Sequence, residues 1–256
     1  MKKRSEYILK IAILTDIHGN KLALNAVLKE IDAQGDIEEI WCLGDMIAMG
    51  PDTNEVLDIL FARPNIRMIT GNHDEAILSL IAGEGHPETY KHIREHHKWV
   101  AERLSAENID RLKILPRMIE KEINGTRIVG IHYHIESDKR NAHIKDEPFH
   151  SIVDATLENM ENLFANYPAE IICFGHHHPE HFLQNDHQIY LNPGALGVSK
   201  GTTAPYAIID FTTPKPIIQI RHVSYDKKAF LQSFETLNVP QREILFKLFY
   251  VGNNES

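Results

Sequence analysis

Cysteine is scarce in this chain: two residues in 256, Cys42 and Cys173. Both lie in short apolar runs, IWCLG and IICFG, that read as buried strands. A disulfide framework is therefore excluded, and two reduced core thiols in a reducing cytoplasm are expected. Excess positive charge is lacking too. Lys and Arg number 27 against 36 Asp and Glu, a net charge of −9, so long-range electrostatics recruit neither nucleic acid nor an anionic membrane. No apolar stretch approaches the length of a membrane span. The opening MKKRSEYILKIAILTD has the basic start of a secretory signal. Lys10 interrupts its apolar run, which reaches only Leu14, and no small-residue cleavage site follows, so a first strand is expected there instead of a leader. Internal repeats and low-complexity segments are absent as well.

What remains is ordinary globular composition, 43% apolar and 25% charged, enough for a large core. From Tyr7 to Thr70 the pattern reads strand, helix, strand, helix, strand. KIAILTD, EEIWCLG and IRMIT are the strands. NKLALNAVLKEIDAQG, with Gly35 as its stop, and DTNEVLDILFARP are the helices. Such alternation implies parallel pairing. Residues 75–113 are helical, polar and histidine-bearing, and read as a helical insert or cap within a single domain spanning 1–256. RMIEKEINGTRIVGIHYHI reads as a hairpin about Asn124-Gly125. A helix at 151–166, the strand EIICFG, a hairpin in HFLQNDHQIYLN, strands PYAIIDF and PIIQIRHVSY, and helices near 226–237 and 240–250 follow. The tail GNNES is expected to fray.

Histidine is what the chain has in quantity, 16 residues, three of them in a row in ICFGHHHPEH. The partners for that run stand at other strand ends. Asp16 and His18 follow strand one in TDIHGN, Asp45 follows strand two in LGDM, and Asn72 and His73 follow strand three in TGNHD. Ligands of α/β sheets bind beyond the carboxyl ends of the strands. In an extended segment i and i+2 point the same way, so Asp16 and His18 can face one cation together, and so can His176 and His178. His177 and His181 are then bystanders or lie behind the ligands. Carboxylate, imidazole and amide oxygen without thiolate suit manganese, iron, cobalt, nickel or zinc, and argue against a structural zinc site. Two close cations need a shared ligand, and Asp45 is the natural bridge. Such a pair clamps an in-line displacement and lowers the pKa of a bridging water, so a hydroxide there serves as nucleophile. His132 and His134 alternate onto one face of the hairpin; His132, nearer the strand body and after Gly130, is preferred as the remaining ligand.

Taken in order, Asp16-x-His18, Gly44-Asp45, Gly71-Asn72-His73-Asp74, His132 and Gly175-His176-x-His178 resemble the calcineurin-like metallophosphoesterases. DIHGNKLALNAVL, GDMIAMGPDTNEVLDIL and NPGALG look closest to the small bacterial phosphoesterases of that family. The resemblance implies an α/β fold, a four-layer α/β/β/α sandwich of two mixed sheets. It implies one metal held by Asp16, His18, Asp45 and His178, and a second by Asp45, Asn72, His132 and His176. His73 would touch the phosphate or protonate the leaving oxygen, and Asn192 and Gly194 would contact substrate. The expected activity is hydrolysis of small-molecule or nucleotide phosphodiesters or phosphomonoesters. Ala48 and Met49 stand where the protein phosphatases of the superfamily have an Asp-Arg pair, which argues against protein substrates. Tyr133 and Ala195 also depart from the common pattern.

Blander roles compete. Asp16, Asn20 and Asp74 could cap helices, Asp45 could end a strand, and Asn192-Pro193-Gly194 could be a tight turn. His92, Glu95 and His96 spell H-x-x-E-H, an inverted zinc-protease order, but a solvated polar helix face is the expectation. These histidines could instead reach down to substrate. Lys139 and Arg140 read as solvated charge. A non-catalytic metal-binding scaffold for a partner protein is the alternative function.

Overall fold

Side-chain alternation along β1 (Lys10–Leu14) sets the layering of the molecule. Ile11 and Ile13 enter one apolar core, and Ala12 and Leu14 another, as the two-residue period requires of a strand covered on both faces. The computed structural model describes residues 10–250. The expected strand residues Tyr7 to Leu9 and the expected frayed tail GNNES lie outside the described residues. After β1 come α1 (Lys21–Gln34), β2 (Glu39–Cys42), α2 (Thr53–Phe61), β3 (Ile66–Met68), α3 (Asn72–Ala82), α4 (Arg94–Ala101) and α5 (Ala106–Lys113). Then follow β4 (Met118–Ile123), β5 (Thr126–Ile131), α6 (Leu157–Leu163), β6 (Ile171–Cys173), β7 (His181–Gln184) and β8 (Ile189–Asn192). The described chain closes with β9 (Thr203–Asp210), β10 (Ile217–Ser224), α7 (Lys227–Thr236) and α8 (Arg242–Leu245).

Two five-stranded mixed sheets result, ordered β10-β9-β1-β2-β3 and β4-β5-β6-β8-β7. In the first, β1, β2 and β3 are parallel; in the second, β5, β6 and β8 are parallel. Ile11, Ile13, Trp41 and Leu43 of the first sheet meet Ile128, Ile171, Cys173 and Leu191 of the second. The outer face of the first sheet is covered by α1, α2 and α7, and that of the second by α6 through Met160 and Leu163. This is the expected four-layer α/β/β/α sandwich. Cys42 faces the helical layer and Cys173 the space between the sheets, both buried and unpaired. Ile93, Trp99, Val100, Leu104 and Leu112 of the histidine-bearing segment join the core of α1 and α2.

Local signals account for most element ends. Asn20 Oδ1 accepts from Ala23 N at 3.0 Å to cap α1, and Gly35 ends it at φ 72°. Asn124 and Gly125, at φ 50° and 82°, make the turn between β4 and β5. Two expectations need correction. The helix expected over 151–166 shrinks to α6, because Asp154, Thr156 and Asn159 spend their polar groups on a local turn and cap. The helix expected over 240–250 is α8 followed by a π-helical turn, Phe246–Tyr250.

Candidate metal centre

Loops leaving β1, β2, β3, β5 and β6 meet at one edge of the sandwich. Backbone hydrogen bonds join them: Asp16 N to Gly44 O at 3.1 Å, His18 N to Asp45 O at 2.9 Å, and Gly175 N to His132 O at 2.8 Å. Asp16, His18, Asp45 and His176 all adopt left-handed backbone, at φ 52°, 47°, 51° and 65°. For non-glycine residues such conformations cost about 1–3 kcal/mol each and cluster where function demands them. The extended i, i+2 geometry expected for Asp16 and His18 is therefore wrong: a tight turn, not a strand, brings them together. Gly71 packs so closely that a Cβ there would overlap Asp45 Oδ1, and a Cβ on Gly175 would overlap Thr15 Oγ1.

Two donor groups stand side by side, Asp16 with His18 and His178, and Asp45 with His132 and His176. In the first, His18 Nε2 lies 3.6 Å from Asp16 Oδ1 and 3.3 Å from His178 Nε2, and His178 Nε2 lies 3.7 Å from Asp16 Oδ1. Donors each about 2.1 Å from one ion lie roughly 3–4 Å apart, so these spacings suit a shared cation. Asp16 Oδ1 is buried and meets no hydrogen-bond partner among the described residues, as a ligand oxygen would be. Asp45 Oδ2 lies 3.2 Å from His132 Nε2 and 3.8 Å from His18 Nε2, between the groups. Asn72 Oδ1 adds a donor atom 2.8 Å from His132 Nε2. His132 Nδ1 faces Leu43 O at 2.7 Å, and His18 Nδ1 faces Ile47 O at 3.3 Å. Both rings so turn Nε2 toward the cleft, the arrangement of a metal-binding imidazole. His176 and His178 do not face one cation, as the spacing suggested, but separate onto the two groups.

The field here attracts positive charge. Burial alone would raise the Asp45 carboxyl, but His132, His73 and His18 outweigh it and hold the group well below the ordinary range. Burial pulls His132 down, yet Asp45 and Asp16 raise it to about 10. His176 and His178, by contrast, are lowered to about 3 and 4, chiefly by burial. Two carboxylates, an amide and four imidazoles fit two small divalent cations.

Asn72 and His73 open α3. His73 N donates to Asp45 Oδ1 at 2.8 Å, and Asp74 takes Gly71 N at 3.0 Å on one oxygen and Met46 N and Ile47 N on the other. Asp74 thus caps α3, as expected, and also pins the loop after β2. His73 stacks on Tyr90, centroids 4.7 Å apart, and its Nδ1 lies 3.0 Å from His97 Nε2. Tyr90 Oη accepts from Asn72 Nδ2 at 2.8 Å. The residue pattern singled out neither Tyr90 nor His97, because a helix of unknown orientation does not reveal its inner face. His96 also departs from expectation: it is fully buried, not solvated, while His92 and Glu95 are exposed and cannot form a zinc site with it.

Other candidates take their places around the cleft. His134 turns away, its Nε2 3.3 Å from Glu136 Oε1. His177 Nδ1 pairs with His181 Nε2 at 2.9 Å. Asn192 is fully buried; its Nδ2 donates to His177 O and its Oδ1 accepts from Gly194 N. Its amide is therefore engaged in holding the histidine loop, and Gly194, at φ 91°, makes the turn beside it. Lys139 and Arg140 are exposed, as expected. A cavity of about 300 Å³ opens beside His176, walled by Tyr90, Phe149, Ile152 and Glu147.

Comparison with known proteins bears on the family and the fold. Residues 9–214 match the calcineurin-like phosphoesterase superfamily domain. The chain is 29% identical over 242 residues to an uncharacterized protein of Methanocaldococcus jannaschii, across 86% of this chain and 90% of that one. It is 32% identical over 101 residues to the symmetrical bis(5'-nucleosyl)-tetraphosphatase of Erwinia tasmaniensis, across 39% of this chain and 34% of that protein. The fold is shared with the crystal structure of a hypothetical protein from Pyrococcus horikoshii OT3, with a TM-score of 0.78 at 22% identity, over 95% of this chain and 98% of that one.

Proposed function

The chain belongs to the calcineurin-like phosphoesterase superfamily, and from that premise we propose a hydrolase of small-molecule or nucleotide phosphate esters that works with two divalent cations, manganese foremost. The observation that carries this reading is the pair of donor groups with Asp45 between them and His73 alongside. Asp16, His18, Asp45 and His178 would hold one cation, and Asp45, Asn72, His132 and His176 the other. Once bound, such cations would offset the charge of the phosphoryl oxygens and lower the pKa of a water toward neutrality. His73 is held by Asp45 through its backbone and by His97 through Nδ1, which leaves Nε2 to protonate the departing oxygen. Asn192 and Gly194 act on substrate indirectly, by fixing the loop that carries His176 and His178.

Two features support a nucleotide as the ester. The tetraphosphatase of Erwinia tasmaniensis is similar over part of the chain. The cavity beside His176 offers Tyr90 and Phe149 as aromatic walls, surfaces on which a base can stack. Residues 75–113 supply one of those walls within the single domain. Two unpaired buried thiols support the cytoplasm as the working compartment.

The test is a panel of phosphomonoesters and phosphodiesters, nucleotides included, assayed with added Mn²⁺. Wild-type turnover is expected on at least one class. Asp45→Asn is expected to lower kcat by about 100-fold or more and to reduce the bound metal measured by elemental analysis. Undiminished hydrolysis by Asp45→Asn or Asn72→Ala would overturn the mechanism. Two bound metals without turnover on any ester would favour the scaffold reading.

A further inference from the structure

The cavity beside His176 has one carboxylate in its lining, that of Glu147, and no Lys or Arg among the described residues. Glu147 lies between β5 and α6, directly after a single 3-10 turn, Ile144–Asp146. Its backbone is left-handed, at φ 51° and ψ 62°, a conformation seldom adopted by residues other than Gly, Asn, Asp and His. Its Oε1 accepts from Thr89 N at 2.9 Å. That bond ties together two sides of the cavity, the insert that carries Tyr90 and the loop that carries Phe149. Glu147 Oε2 meets no hydrogen-bond partner among the described residues. Ile152, in the same lining, is an apolar side chain left exposed. Aromatic and aliphatic walls with one polar group fixed by its backbone and a hydrogen bond are the make-up of a small-molecule site. His176 is both a wall of this cavity and a member of the second donor group, so the cavity adjoins the centre.

We propose that Glu147 is a specificity-determining residue that selects guanine as the base of the nucleotide. The inference deepens the nucleotide reading above and rests on it. A nucleotide whose phosphate lies at the donor groups places its base, one sugar away, against Tyr90 and Phe149. There the edge of the base meets Glu147. A carboxylate only accepts hydrogen bonds, and its two oxygens suit two adjacent N–H donors. Guanine has that edge, N1–H beside the N2 amino group. Adenine sets its amino group next to the lone pair of N1, and cytosine sets its own next to N3, so each turns a lone pair on the carboxylate. Uracil offers one N–H between two carbonyl oxygens. Glu147 Oε1 has lone pairs enough for Thr89 N and one base N–H, and Oε2 takes the other. A Lys or Arg would have favoured the acceptor edge of guanine, N7 and O6, and neither lines the cavity among the described residues.

The experiment measures binding of guanosine, inosine and adenosine 5'-monophosphates by calorimetry with Mn²⁺ present. Alongside it, hydrolysis of the p-nitrophenyl esters of guanosine and adenosine 5'-phosphate is followed. The guanine ligand is expected to bind at least about 30-fold more tightly than the adenine one, through two charge-assisted hydrogen bonds. Inosine, which keeps N1–H and lacks the amino group, is expected to fall between them. The two esters are expected to show the same preference in kcat/KM. Glu147→Gln keeps an oxygen for Thr89 N but turns an amino group on the base. It is expected to weaken the guanine ligand by about 10-fold or more and to change the adenine one by less than about 3-fold, with melting temperature and bound metal unchanged. Equal affinity for the three bases, a preference for adenine, no binding at all, or a guanine preference that survives Glu147→Gln would overturn the proposal. The wild-type comparison decides even where the variant does not fold. Guanine-selective binding without hydrolysis of either ester would remove the hydrolase reading and keep the base site. Hydrolysis of both esters with equal kcat/KM would keep the hydrolase and remove the site.

Discussion

Asp45 shows how much one residue can be asked to do. Its carboxylate holds the backbone of α3 with one oxygen and stands between two donor groups with the other. Crowding follows, and Gly71 relieves it. Gly71→Ala is expected to destabilise the metal-free protein by about 1–3 kcal/mol and to abolish hydrolysis, since either Asp45 or the start of α3 must shift. Urea unfolding checks the first part, and an unchanged midpoint would contradict the packing described. His96 gives a pH prediction of definite sign. Burial lowers it to about 3 from an unfolded value near 6.5. Above pH ~6.5 it is neutral in both states and contributes nothing. As pH falls from there toward 3 the unfolded chain binds a proton that the folded one refuses, and stability drops by about 1.4 kcal/mol per pH unit from this residue. The unfolding midpoint of His96→Phe is therefore expected to fall less than that of wild type between pH 7.5 and 5. Seven ligand candidates were legible in the sequence because each lies at a strand end in a short glycine-bearing motif. His97 was not, since nothing in HIREHHKWV says which face of the helix meets His73.

Among the elements, α3 is the one whose start must be placed most accurately. Asp74 caps it from within, and Arg117 at the start of β4 grips Glu75 on its first turn with two contacts, Nε to Oε1 at 2.7 Å and Nη2 to Oε2 at 2.5 Å. Arg117 also donates to the carbonyls of Arg140 and Ala142, so it organises the loop after β5. Arg117→Met is expected to cost about 1–2 kcal/mol, discounted for the partial exposure of the pair, and to lower kcat more than it raises KM. Thermal unfolding and steady-state kinetics check both, and intact kcat would show that α3 is positioned without this pair. Strands and their turns were readable because burial and Asn-Gly chemistry act locally. The stretch from 137 to 156 was not, because long-range side-chain hydrogen bonds such as those of Arg117 set its path, and the helix expected from 151 begins only at Leu157.

At the scale of the whole molecule, the layers followed from alternation in strands such as β1, and the sequence pattern contained both sheets. What it left open was which strands are neighbours: β9, late in the chain, pairs with β1, the first described strand, which so becomes the middle of the sheet, and β10 pairs outside β9. Every described helix is too short or too polar to cross a membrane. Metal binding at the edge of the sandwich is expected to appear in global stability. A ligand at 100 times its dissociation constant adds about 2.7 kcal/mol when it binds the folded state alone. Chelation is thus expected to lower the melting temperature by several degrees, with Mn²⁺ restoring it; an unmoved transition would deny the centre any occupancy. Each donor group also draws on both sheets. Asp16 and His18 belong to the first and His178 to the second, and Asp45 to the first with His132 and His176 to the second. Ions bound by these groups would consequently be rivets between two slabs that otherwise adhere by their greasy inner faces. With the rivets out, this seam is where the sandwich begins to part, and amide exchange at Gly44 and Gly175 is expected to quicken there before the opposite rim notices.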